Sequence, residues 1–75
     1  MTTFETRDLY FACFLRSLGY KLADVRWEGR RATFVFADRP ERRATTLAFY
    51  NNQGVVRPLS FVNAIKEMKA LIHNT

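Results

Sequence analysis

The sequence contains few of the residues on which active sites and cross-links usually depend. It has one cysteine, Cys13, and one histidine, His73, so an internal disulfide is impossible and soft ligands are too few for a closed zinc site. We expect His73 in the fraying last turn of a helix and Cys13 on an apolar helix, which leaves no preorganised cysteine–histidine pair. The three glycines are isolated and form no phosphate-binding loop. The sequence therefore predicts a protein that is not an enzyme and has no catalytic residue, metal or cofactor.

Long apolar runs are missing as well. No stretch approaches the ~18 consecutive apolar residues that a membrane-spanning helix needs, and the first residues lack a basic flank followed by an apolar segment. The single cysteine also argues against the disulfide framework of a small secreted domain. We therefore expect a soluble cytoplasmic protein that does not bind membranes, and no small-molecule substrate is evident.

What the chain has in quantity is apolar residues and arginine. Its 75 residues are 48% hydrophobic and 15% aromatic, which excludes a disordered chain. This length predicts a single domain over residues 1–75, whose folding removes roughly 60% of the surface of the unfolded chain from water. Twelve basic residues, nine of them arginines, against seven acidic residues give a net charge of +5.

The first predicted element is a helix from about Arg7 to Leu18. Thr6 is the expected cap, and Gly19 is suited to the left-handed conformation that ends many helices. The residues between them are apolar nearly all round. A helix of this kind is buried on more than one side, either within the fold or in an oligomer.

Two alternating segments, residues 20–27 and 31–37, predict a β-hairpin whose turn is residues 28–30. Alternation places six residues on the face toward the core, namely Ala23, Val25, Trp27, Ala32, Phe34 and Phe36. The opposite face then carries Leu22, Asp24, Arg26, Arg31, Thr33 and Val35. Because a two-stranded hairpin is not stable alone, helices are expected to cover the core face.

Two more helices are predicted after the hairpin. The first has Asp38 as its cap and stops at residues 51–54, and the second is opened by Pro58 and runs from about Leu59 to His73. The valines at positions 55 and 56 are too few to assign, although they would fit a third, minor strand beside the hairpin. The predicted architecture is a small single-domain α+β fold in the order helix, β-hairpin, helix, helix, with helices covering one face of the hairpin.

The order of these features is shared with a known family. The matching segments are residues 6–9 with Ala12 and Leu15, residues 18–22, residues 33–36 with Asp38, and residues 56–58 with Phe61, Ala64, Lys66 or Lys69, and Leu71. On these residues the chain resembles a family of short uncharacterised bacterial proteins, the domain of unknown function 5659. Most matching positions are core and turn residues, so the resemblance implies a fold and assigns no catalytic or binding residue.

Arginines are concentrated between positions 26 and 43, where we expect folding to gain little from them. Arg26 and Arg31 are predicted close together on the open face of the hairpin, where like charges cost stability. Three more gather at the start of the second helix, where positive charge opposes the helix dipole. The indole of Trp27 is expected to pack with Val25 and Phe34, although any exposed part of the ring would stack on a base. The candidate nucleic-acid-binding residues are Arg26, Trp27, Arg30, Arg31, Arg39, Arg42 and Arg43.

Two function classes follow from these patterns. The first is a nucleic-acid-binding accessory module whose arginines contact a DNA or RNA backbone. The alternative is a protein-interaction or self-associating module, an adaptor or regulator with no nucleic-acid role, in which the arginines are an ordinary solvated face. Its protein partner or homodimer contact would use the apolar first helix or an exposed hairpin edge. The first class requires an excess of positive charge outside the core, whereas the second requires exposed apolar surface on the first helix.

Overall fold

The chain forms one antiparallel sheet with helices packed against it. The computed structural model describes residues 2–74, which contain three strands and three helices. In chain order these are β1 (Thr3–Thr6), α1 (Leu9–Ser17), β2 (Leu22–Glu28), β3 (Arg31–Ala37), α2 (Arg42–Tyr50) and α3 (Pro58–His73). The predicted α+β class and the order helix, hairpin, helix, helix are confirmed, and β1 is a strand that the sequence did not predict.

The sheet has the order β1-β3-β2, so β3 is its central strand. β1 lies antiparallel to β3, with Thr3 opposite Ala37 and Thr6 opposite Phe34. Residues 55 and 56, which were too few to assign, are irregular, and the third strand of the sheet is β1, which pairs with β3. A four-residue strand is too short for its alternation to be recognised in the sequence.

The hairpin contains a β-bulge that changes which residues face the core. Leu22 lies opposite Phe36 and Asp24 lies opposite Val35, so one extra residue, Ala23, is accommodated on β2. The bulge turns Leu22 toward the core, where it packs against buried residues, and leaves Ala23 exposed. The predicted faces of these two residues are therefore wrong, whereas Phe34 is buried on the core side as predicted.

The helix starts differ from the predicted ones by a few residues. Asp8, not Thr6, caps α1, because its Oδ1 accepts hydrogen bonds from the backbone N–H groups of Tyr10 (3.0 Å) and Phe11 (3.1 Å). Asp38 does not cap α2, which begins only at Arg42. Gly19 has the predicted left-handed backbone, with φ +91°.

α1 is the central helix of the core. Five consecutive residues of α1, from Phe11 to Leu15, are buried, because the helix contacts α3, α2 and the sheet on different sides. Its apolar surface is therefore used within one chain, which confirms burial on more than one side. No oligomer is needed to explain the composition of this helix.

α3 is the longest helix and matches its prediction closely. Pro58 is its first residue, and Ala64 and Met68 are buried on the stripe that the sequence indicated. Phe61, Ile65 and Ile72 pack against the same core. No helix within residues 2–74 is long and apolar enough to cross a membrane.

Candidate nucleic-acid interface

The seven candidate residues are divided between the two ends of β3. Four of them, Arg26, Trp27, Arg30 and Arg31, lie in β2, the hairpin turn and the first position of β3. The other three, Arg39, Arg42 and Arg43, follow the last position of β3. Because a seven-residue strand is about 20 Å long, the arginines do not converge on one patch.

Two arginines beyond the end of β3 are part of the fold. Arg39 donates a 2.8 Å hydrogen bond to the carbonyl of Gly19, and its guanidinium lies 4.4 Å from the centre of the Tyr20 ring. Arg42 donates from Nε to Asp38 Oδ1 at 3.1 Å and stacks 4.0 Å from the centre of the Phe4 ring. Cation–π contacts of this kind stabilise a fold by about 0.5–2 kcal/mol each. These side chains therefore have structural partners that the sequence did not reveal.

Arg26 also has a structural partner, which lies across the sheet. Its guanidinium forms an ion pair with Glu5 of β1, although the two strands are separated by β3. Arg26 is opposite Thr33 and Glu5 is opposite Val35, so the paired side chains extend over the central strand. This explains why Thr33 and Val35 are only 5% and 8% exposed on a face that no helix was predicted to cover.

Arg26 and Arg31 do not lie opposite each other in this register. Arg31 is directly opposite Glu28, and Arg26 is opposite the uncharged Thr33. Glu28 in turn lies 3.4 Å from the guanidinium of Arg7. The open face of the sheet is thus an alternation of charges, in which acidic side chains separate the arginines.

The hairpin tip, defined here as Trp27, Arg30 and Arg31, combines a partly exposed aromatic ring with arginines that lie outside the ion pairs of the described residues. Trp27 is on the core side of the sheet opposite Ala32, yet it is 41% exposed. The expected core packing of its ring is therefore only partial, because Trp27 is on an edge strand one residue before its end. Arg30 and Arg31 are exposed and have no ion-pair partner within residues 2–74.

The net charge comes from side chains outside ion pairs. Among residues 2–74, five ion pairs each join one arginine to one carboxylate. Of the two remaining carboxylates, Asp8 caps α1 and Asp24 accepts a hydrogen bond from the backbone N–H of Val25. The basic residues without an ion pair are Lys21, Arg30, Arg31, Arg43, Arg57, Lys66 and Lys69.

The groups with chemical reactivity are held in unreactive settings. Burial raises the pKa of the Cys13 thiol to about 11, which suppresses the nucleophilic thiolate. Burial and the 2.8 Å hydrogen bond from its hydroxyl to Asp8 raise the pKa of Tyr50 to about 12. Across the described residues 2–74, no three His, Cys, Asp or Glu side chains are grouped closely enough to hold a metal ion.

Comparison with known proteins places the chain in a family. The model of the domain of unknown function DUF5659 matches residues 1–74. The chain belongs to this family. The resemblance noted from the sequence is thereby confirmed over nearly the whole length. No curated protein and no solved structure matches the chain.

A second surface of this DUF5659 domain was not identified from the sequence. Val55 and Leu59 are 84% and 70% exposed, although both are large apolar residues. Val55 lines a groove of about 580 Å³ between the end of α1 and the start of α3, together with Leu18, Val56 and Pro58, and Leu59 follows Pro58 in α3. The only sequence signal was the pair of valines before Pro58, which also fitted a strand. We refer to this surface as the 55–59 groove.

Proposed function

We propose that the protein binds single-stranded nucleic acid through the hairpin tip. The observation that supports this is a half-exposed tryptophan beside two arginines that have no ion-pair partner in the described chain. Base stacking on an aromatic side chain is worth about 1–3 kcal/mol per base, and it requires an accessible ring face. A single strand has unpaired bases that meet this requirement, whereas the bases of a duplex are already stacked.

The positions of the three tip residues indicate how a strand would lie. Trp27 faces the helix side of the sheet, Arg31 faces the open side, and Arg30 is in the turn between them. A strand that crosses the tip therefore places one base on the indole and the adjoining phosphates against the guanidinium groups. The planar fork of arginine suits phosphate oxygens because it donates two parallel hydrogen bonds.

The remaining candidates are assigned a smaller part. Arg26, Arg39 and Arg42 are engaged with Glu5, Gly19 and Asp38, so a phosphate would compete with these contacts. Arg43 is exposed, but it is separated from the tip by the length of β3. These arginines contribute to the overall positive potential, which attracts a polyanion at long range.

The single tryptophan makes this proposal directly measurable. Because Trp27 is the only tryptophan in the chain, its fluorescence reports stacking at the tip without labelling. Titration with oligothymidylate at low salt is expected to quench the emission. The logarithm of the binding constant should fall with the logarithm of salt concentration, with a slope of about −0.7 per phosphate neutralised.

A pair of matched double variants separates the tip from general charge. Arg30→Ala with Arg31→Ala removes two charges from the tip, and Lys66→Ala with Lys69→Ala removes two from the exposed face of α3. We expect the first to weaken binding roughly tenfold and the second less than about threefold. Equal losses in both, or no quenching at low salt, would show that the tip is not a nucleic-acid site.

A further inference from the structure

We propose that the 55–59 groove binds a short acidic segment of a partner protein, with the apolar side chains of that segment inserted between Leu18, Val55 and Val56. The groove is separate from the hairpin tip, and the proposal does not depend on nucleic-acid binding. It rests on three properties of the surface, which are its exposed apolar side chains, its small size and its charge.

The segment that carries the exposed apolar side chains lies against α1 at Gly54. Gly54 packs so closely on α1 that a Cβ at this position would stand 2.7 Å from Cζ of Phe14, so the backbone here lies directly against the Phe14 ring. Val55 follows directly, and Leu59 is in the first turn of α3 after Pro58. Large apolar residues that stay exposed beside a groove mark a candidate binding surface, because a partner that covers them removes apolar area from water.

The size of the groove favours a short segment over a globular surface. Seven residues line it, whereas a stable interface between two globular proteins uses roughly 20–30 residues on each side. An extended or helical segment needs only a few anchoring side chains in such a groove. The groove volume of about 580 Å³ is large enough for more than one of them.

The charge at the groove decides the character of that segment. Arg57 is part of the lining and has no ion-pair partner among the described residues. A second copy of the chain would bring its own Arg57 toward this one across a two-fold axis, and each copy carries a net charge of +5. An acidic segment instead places a carboxylate against Arg57, and the overall charge steers it to the surface.

Three labelled peptides test this assignment on the full chain at physiological salt. The probe is a short helical peptide with leucines on one face and glutamates on the other. One control peptide has lysine in place of glutamate, and the other has serine in place of leucine. We expect the leucine–glutamate peptide to bind at least about tenfold tighter than either control. The backbone amide signals that shift should be those of Leu18, Val55, Val56 and Leu59.

Variants on the exposed positions locate the binding. Val55→Asp and Arg57→Glu should each weaken binding at least about tenfold, because the first places a carboxylate in an apolar contact and the second reverses the charge that faces the glutamates. Leu47→Asp is the matched control, since it places a carboxylate at an exposed leucine on α2, and it should change affinity less than about twofold. Val55→Ser separates the loss of apolar contact from the added charge.

Several outcomes would overturn the proposal. These are absence of binding to the leucine–glutamate peptide, equal binding of the leucine–glutamate and serine–glutamate peptides, and shifts confined to the hairpin tip. A concentration-dependent dimer in sedimentation that Val55→Asp abolishes would identify a second copy as the occupant instead. None of these results bears on the fluorescence titration at Trp27, so the two proposals fail separately.

Discussion

The two ends of β3 carry the same residue type in opposite roles. Beyond its last residue, Arg39 and Arg42 each stack on an aromatic ring and hydrogen-bond to the chain. At its first residue, Arg31 and the neighbouring Arg30 are exposed and unpaired within residues 2–74. The difference shows that arginines close together in sequence do not form one surface patch when a β-strand separates them.

The partners available at each end explain the difference. Beyond the end of β3, the backbone of Gly19, the rings of Phe4 and Tyr20, and the carboxylate of Asp38 lie around the two arginines. At the tip, Gly29 and Arg30 connect β2 directly to β3, and the nearby carboxylate of Glu28 already contacts Arg7. Arginines stabilise the fold where other segments of the chain supply rings, carbonyls or carboxylates for them to contact. Where no such group is nearby, the guanidinium stays exposed.

The largest expected effect compares one arginine from each end. Arg42→Ala should lower the free energy of unfolding by about 1–2 kcal/mol, because it removes the contacts with Asp38 and Phe4. Arg31→Ala should change it by less than about 0.5 kcal/mol, as surface substitutions usually do. Urea unfolding with an unchanged m-value measures both. Similar losses in the two variants would contradict the division into structural and available arginines.

Periodicity in the sequence was sufficient for the main elements. The α3 stripe, the hairpin and the buried α1 all follow from spacing that a single segment contains. The bulge at Ala23 and the strand β1 could not be predicted, because each depends on pairing with β3. Both are consequences of tertiary contact rather than of local propensity.

The candidate site was predictable only in composition. The sequence indicated which arginines are close along the chain, but it did not indicate their partners. Arg26 pairs with Glu5 across the sheet, and Arg42 pairs with Asp38 in the segment before α2. The exposure of Trp27 likewise depends on β2 being an edge strand. The sequence therefore showed where the arginines are concentrated, and the structure showed which of them have no ion-pair partner among residues 2–74.

An intermediate effect is expected at Arg26, which lies between the two cases. Its side chain covers Thr33 and Val35 and pairs with Glu5. Arg26→Ala should cost about 0.5–1 kcal/mol, whereas Arg26→Met should restore most of the loss, because the aliphatic stem supplies the cover and an exposed ion pair adds little. Equal unfolding free energies for the alanine and methionine variants would assign the effect to the charge instead.

The smallest expected effect concerns the start of α1. There Asp8 accepts a hydrogen bond from the hydroxyl of Tyr50, the last residue of α2, and no arginine takes part. The Tyr50 hydroxyl must be protonated to donate to Asp8, and its pKa in the fold is raised from 10.0 to about 12. Burial is the larger cause of this shift and the hydrogen bond to Asp8 the next, and both favour the protonated hydroxyl. The stability that depends on this protonation is therefore complete below pH 10 and is lost as the pH rises from 10 to 12.

Because Tyr50 is more than half exposed, solvent screening limits this contribution to roughly a few tenths of a kcal/mol. Urea unfolding of the wild type and Tyr50→Phe across this range measures it. The wild type should lose slightly more stability than the variant between pH 10 and 12. The Cys13 thiol, with its pKa raised from 9.0 to about 11, lowers stability from pH 9 upward in both proteins and cancels in the comparison. Parallel curves would show that keeping the Tyr50 hydroxyl protonated adds no stability to the fold.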